Sequence, residues 1–134
     1  MRKGLLLVVI AHALVAGWHG LTHLKVPVEL SAPQGAFIAL VVMLVPLVAA
    51  ALTFTRFRVQ GAALVCLAMG ASFVFGVAYH YVVASPDNIA AVPPGPWQGH
   101  FIHSALAVLI SEGLGTLCGA AAWWQWSRAN AALA

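Results

Sequence analysis

Four apolar stretches, at about 4–24, 36–55, 60–84 and 98–126, make up most of the chain and carry almost none of its charge. At about 1.5 Å of rise per residue, each is long enough to cross a hydrocarbon core about 30 Å thick. That core offers no water to backbone N–H and C=O groups, so a crossing segment must satisfy them internally. Four segments are too few to close a barrel, which leaves the helix. The pattern predicts an all-α integral membrane protein, a four-transmembrane-helix bundle with residues 1–134 as a single membrane domain.

Composition points the same way. Charged residues are 7% of the sequence and the mean hydropathy is +0.97, whereas a soluble domain carries roughly 25% charged residues. The net charge of +3 comes from six Lys and Arg against three Asp and Glu. These basic residues are scattered over the connections with no basic run, so they act as a topology signal and not as a nucleic-acid footprint. Hydrolytic, phosphate-binding and nucleic-acid motifs are absent. The expected partners are the lipid bilayer and a second copy or a larger membrane complex.

The separators KVPVELSAPQ (25–34), RFRVQ (56–60) and SPDNIAAVPPGP (85–96) are rich in turn formers. Pro46 lies inside the second stretch, where it predicts a kink. Arg2 and Lys3 precede the first span, Arg56 and Arg58 fill the second connection, and Arg128 follows the fourth span. Only Lys25 lies on the opposite side. The positive-inside rule therefore puts both termini in the cytoplasm, with Glu29 and Asp87 outside. Trp123, Trp124 and Trp126 form an inner aromatic belt, answered outside by Trp18, Tyr79, Tyr81 and Trp97. The expected location is a bacterial inner or plasma membrane. A competing possibility treats residues 1–16 as a cleaved signal peptide, but the apolar stretch runs on to Leu24. Cys66 and Cys118 lie at similar depth in apolar runs, form no CxxC, and read as small buried residues.

The six histidines are distributed unevenly. His19 and His23 close the first span, His80 lies near the end of the third, and His100 and His103 open the fourth. Five of six thus converge on the outer third of the predicted bundle, from three helices. At about 100° per residue, His12, His19 and His23 fall within about 40° on one stripe, and His100 and His103 differ by about 60°. Around His80 the same stripe is expected to carry Gly76, Phe73 and Met69. Gly17, Gly20, Gly76 and Gly99 are expected to admit backbones or a flat ligand. Ionisable groups within a span are costly and mark function, and an HxxxH pair puts two imidazoles on one helix face, as a metal ion requires. The metal ligands expected are His19, His23, His80, His100 and His103, for copper, iron, zinc or nickel.

Glu112 is the single carboxylate deep in a span, at a depth similar to that of His12. The match invites a buried acid–base pair. On an ideal helix, however, Glu112 points about 120° from His100 and about 180° from His103, and Ser111 continues the histidine face. His12, Ser111 and Glu112 are therefore candidates for proton movement or for supporting the ligands. Gly115 and Gly119 form a GxxxG pattern, for packing within the bundle or between copies. Loop 85–99, stiffened by four prolines, lies over the histidines as a re-entry turn or a lid.

The leading functional expectation is an outward-facing polyhistidine site that binds a transition metal, for redox chemistry or metal handling. A b-type haem held by two imidazoles, His19 with His80 or His103, is the alternative cofactor. A non-catalytic accessory subunit of a larger membrane complex, its histidines serving packing or a quinone pocket, is the third possibility.

Overall fold

The computed structural model describes residues 1–132. Among them there is no strand, and four helices are long and apolar enough to cross a membrane: α1 (Arg2–His23), α2 (Ala32–Leu52), α3 (Arg58–Val82) and α4 (Gln98–Ala131). α4 is the organising element, with extensive contacts to both α3 and α1. α2 packs against α3 and more lightly against α1.

α2 begins earlier than the hydropathy pattern suggests because of a local cap. Ser31 N–H donates to Gln34 Oε1 at 2.8 Å, Gln34 N–H donates back to Ser31 Oγ at 3.4 Å, and Pro33 occupies the first turn. This capping box satisfies donors that a helix start otherwise leaves open. Further along, residues Ile38–Leu44 form a π-helical segment that ends just before Pro46. Proline has no N–H to give to the carbonyl four residues back, and its ring crowds that carbonyl. The kink expected at Pro46 thus takes the form of a widened turn, with Val45 N–H reaching back to Leu40 O.

The core is built on small residues, the pattern that helices in lipid would need. On α4 the small residues Ser104, Ala105, Gly115, Gly119 and Ala122 face inward, while Leu106, Ile110, Leu114 and Leu117 face outward. Lipid is as apolar as leucine, so helices gain by close backbone approach at small residues and leave large aliphatics outside. The GxxxG pattern serves this purpose within the chain. A Cβ at Gly119 would lie 2.6 Å from the Cys66 backbone N, and one at Gly115 would collide with Met69. Leu5, Val9, Ala49, Ala62, Val65, Met69 and Ala122 complete this part of the core. Cys66 and Cys118 are free and half-buried.

The two ends of the bundle differ. At one end the Arg2 guanidinium lies 6.0 Å from the Trp126 ring centre, Arg128 lies 4.0 Å from that of Trp124, and Arg58 donates to Asn130 Oδ1 at 2.9 Å. At the other end Val26, Val28 and Val92 fold from the two connections onto Phe101. Directly against Phe101 are three histidines.

Candidate metal centre

His19 is buried one turn from the end of α1, and His23 follows on the same face. His80 reaches them from α3, within a second π-helical segment, Ala78–Val82. Single π turns are rare and recur at functional sites, because the extra residue re-aims the side chains around it. The stripe leading to His80 is Met69, Ser72 and Gly76. Phe73 turns outward, contrary to the helical-wheel expectation, and its ring covers Gly113.

The three imidazoles meet through their Nε2 atoms. His19 Nε2 lies 3.2 Å from His80 Nε2 and 3.2 Å from His23 Nε2. One ligand atom from each of the three lies within 4.8 Å of the others, a geometry able to hold a metal ion. Nitrogens held at about 2.0–2.1 Å from a tetrahedral ion lie about 3.3 Å from one another, close to these separations.

Neighbouring groups bear on where the protons sit. Ser104 Oγ lies 3.0 Å from Phe101 O and 2.9 Å from His19 Nδ1, so it can donate to that carbonyl while accepting His19 Nδ1–H, or donate to Nδ1 itself. The backbone carbonyl of Asp87 can only accept, and it takes His80 Nδ1–H at 2.9 Å. Neutral His80 therefore carries its proton on Nδ1 and directs an Nε2 lone pair toward His19, and His19 adds a second lone pair there when its own proton is on Nδ1. Without a metal, His19 Nε2–H can donate to His80 Nε2 at 3.2 Å; with the His19 proton moved to Nδ1, both Nε2 lone pairs are free for one cation. This is also the second-shell pattern of metal-bound histidine, whose other nitrogen donates to a carbonyl or a hydroxyl. His23 Nδ1 has no hydrogen-bond partner, whereas its Nε2 faces His19 Nε2 at 3.2 Å and Asp87 Oδ1 at 3.4 Å, so the neutral ring carries its proton on Nε2 and gives it up on binding a metal there.

Asp87 supplies the charge. Its side chain is buried, and Oδ1 lies 3.4 Å from both His23 Nε2 and His80 Nδ1, with no hydrogen-bond partner of its own. A buried carboxylate that lacks a cation is unfavourable, and no Lys or Arg is paired with it among the described residues. Sequence reasoning missed both Asp87 and Ser104. A loop carries no periodicity that could have pointed to Asp87. Ser104, by contrast, lies in the small-residue stripe of α4, which was available as a signal.

The remaining candidates lie elsewhere. His100 and His103 are exposed, and His100 packs near Trp97 and Trp18 with ring centres 5.1 and 6.4 Å away. The expectation that they join the ligand set is corrected by the rotation of α4. Phe101, Ser104, Ala105, Val108 and Glu112 take the inward face, leaving His100 and His103 on the outer one. The same rotation brings Glu112 onto the inner wall instead of away from it. His12 does not pair with Glu112. Its Nδ1 lies 3.0 Å from Ser111 Oγ, and its Nε2–H donates to Val42 O at 3.1 Å. Val42 O is the carbonyl four residues before Pro46, the one that proline cannot serve. Gly17, Gly20 and Gly99 have no neighbour within the reach of a Cβ, so of the four glycines expected to admit close approach only Gly76 does so.

A cavity of about 240 Å³ opens beside the triad, bounded by His19, His23, His80, Asp87, Gly20 and Gly76 and reaching Glu112. The three nitrogens border this space, so a metal ion held by them would keep a coordination position open toward the cavity. No protein-family model, curated protein or solved structure matches this chain.

Proposed function

We propose that this chain is a small polytopic membrane protein that binds one transition-metal ion through His19, His23 and His80. In this reading the outer aqueous side faces the histidine end and the cytoplasm faces the end rich in arginine. One observation carries the metal assignment: imidazoles from two helices converge with His19 Nε2 3.2 Å from both His80 Nε2 and His23 Nε2, beside the buried Asp87 carboxylate. Imidazole ligation suits copper, iron or zinc, and buried Asp87 offsets the ion's charge. The vacant position beside the cavity fits redox chemistry or metal handling on a molecule that enters from the membrane side. The orientation rests on the positive-inside rule together with the gathering of Arg2, Arg58 and Arg128 at one end.

The haem alternative is less well supported. Two axial imidazoles on opposite faces of a haem stand on the order of 4 Å apart, twice a metal–nitrogen bond. The nitrogens of His19 and His80 are closer than that and share one small space with His23.

The test is direct. The protein is purified in mild detergent, its metals are measured by mass spectrometry, and its visible spectrum is recorded with and without dithionite. The expected result is near-stoichiometric copper, iron or zinc, lost in His19→Ala and His80→Ala. A Soret band that shifts on reduction would overturn the proposal in favour of haem. A protein that stays metal-free after reconstitution would overturn it in favour of a structural subunit.

A further inference from the structure

The cavity beside the triad has a second polar pole. Its wall is largely apolar, with Phe75, Val42 and Val108 among its residues, and its far end is closed by Glu112. Glu112 is 2% exposed, and its Oε2 has no hydrogen-bond partner among the described residues. The one hydroxyl near it in the wall, that of Ser72, is already committed to Ala68 O at 2.9 Å. Gly76 faces the carboxyl, where a Cβ would lie 3.4 Å from Oε2. The missing side chain leaves room at the carboxyl, which lines the cavity with Oε2 packed under its neighbours, so a small rotation of the carboxyl presents that oxygen to a guest. A buried acceptor left in this state has given up water without replacement, and a donor arriving in the cavity supplies the missing bond.

Size and spacing narrow the class of guest. A cavity of about 150 Å³ lined by apolar residues takes benzene, so 240 Å³ suits one ring with a short substituent. Gly76 lies one turn from His80 along α3, and Glu112 two turns from Ser104 along α4. The carboxyl and the triad are therefore roughly 6 to 12 Å apart along the bundle, about the length of such a molecule.

We propose that this cavity binds a single-ring phenol or hydroquinone, with its hydroxyl donating to Glu112, its ring against the apolar wall and its far edge toward the histidine triad. This deepens the metal reading by naming the class of molecule the ion faces. It rests on that reading only for what the far edge meets.

The test uses the full chain in detergent and two matched probes, 4-ethylphenol and 4-ethyltoluene. Affinities are measured by calorimetry after EDTA treatment and are referenced to empty micelles. The expected result is a preference of about tenfold for the phenol, the effect of one hydrogen bond to a buried acceptor. Glu112→Met should collapse that preference, and Gly76→Val, which fills the space, should weaken both probes. Equal affinity of the two probes for the native protein would overturn the proposal, as would a preference that survives Glu112→Met. The protein is then loaded with Co²⁺, whose visible bands should shift when 4-ethylphenol is added. If the phenol preference holds but Co²⁺ does not bind, the metal reading falls and the Glu112 pocket stands. If Co²⁺ binds at the triad and no probe preference exists, the pocket proposal falls and the metal reading stands.

Discussion

The Asp87 carbonyl holds the His80 Nδ1 proton, and Ser104 Oγ is placed to accept the His19 Nδ1 proton, so both orient an Nε2 lone pair for the proposed metal. Removing such a partner typically lowers metal affinity by about 10- to 100-fold. Ser104→Ala is expected to do so, read by competition with a chelator, while helical circular dichroism stays unchanged. The double variant His100→Ala/His103→Ala is expected to retain its metal within about twofold, because both rings point away from the triad. Equal losses in the triad and rim variants would contradict the assigned ligand set. Acid should also release the ion. Each ligand nitrogen must be unprotonated to bind, so affinity rises with pH and falls as protons compete for the rings. Metal retained after dialysis at steps between about pH 8 and pH 5 measures this.

Helix interfaces were partly legible in advance, and the failures have a common cause. The GxxxG at Gly115 and Gly119 was visible, and its use within the chain follows from the Cys66 backbone lying where a Cβ would go. Gly119→Ala is expected to destabilise the fold by about 1–3 kcal/mol, as overpacking does. Gly17→Ala, with nothing within 4 Å, is expected to be neutral or stabilising by up to about 1 kcal/mol. Thermal unfolding in detergent separates the two. The histidines of α4 point to the wrong inward face, because they are not the marker of the inside. In a lipid-facing helix the inward marker is the row of small residues, and polar side chains near a helix end are equally stable at the interface. The start of α2 was misplaced for a different reason, since hydropathy does not register the S-x-x-Q cap at Ser31 and Gln34. At Pro46 the distortion was legible, but its consequence was not. The carbonyl of Val42 became an acceptor for His12, a residue on another helix.

Across the whole molecule, arginines at one end and histidines at the other make a polarity that can be tested by labelling. Single cysteines placed in loop 85–96, in a background with Cys66 and Cys118 replaced, should react with an impermeant maleimide from outside intact cells. Cysteines in the 56–60 connection should react only after lysis. Metal loading should also tighten the connection after α3. Ile89 N–H donates to His80 O at 3.0 Å, and His80 Nδ1–H donates to Asp87 O, so hydrogen exchange at residues 85–92 is expected to slow in the metal-loaded protein. The number of helices, their apolar character and the gathering of histidines toward one end follow from the sequence alone. Those properties are set by span length and by the cost of placing polar groups in hydrocarbon, and both can be counted along the chain. Which histidines meet, the partners at their other ring nitrogens, and the turning of Glu112 into a cavity depend on the rotation of α4 against α1 and α3. That rotation is set by backbone contact at small residues such as Gly119, a contact between elements that no single segment encodes.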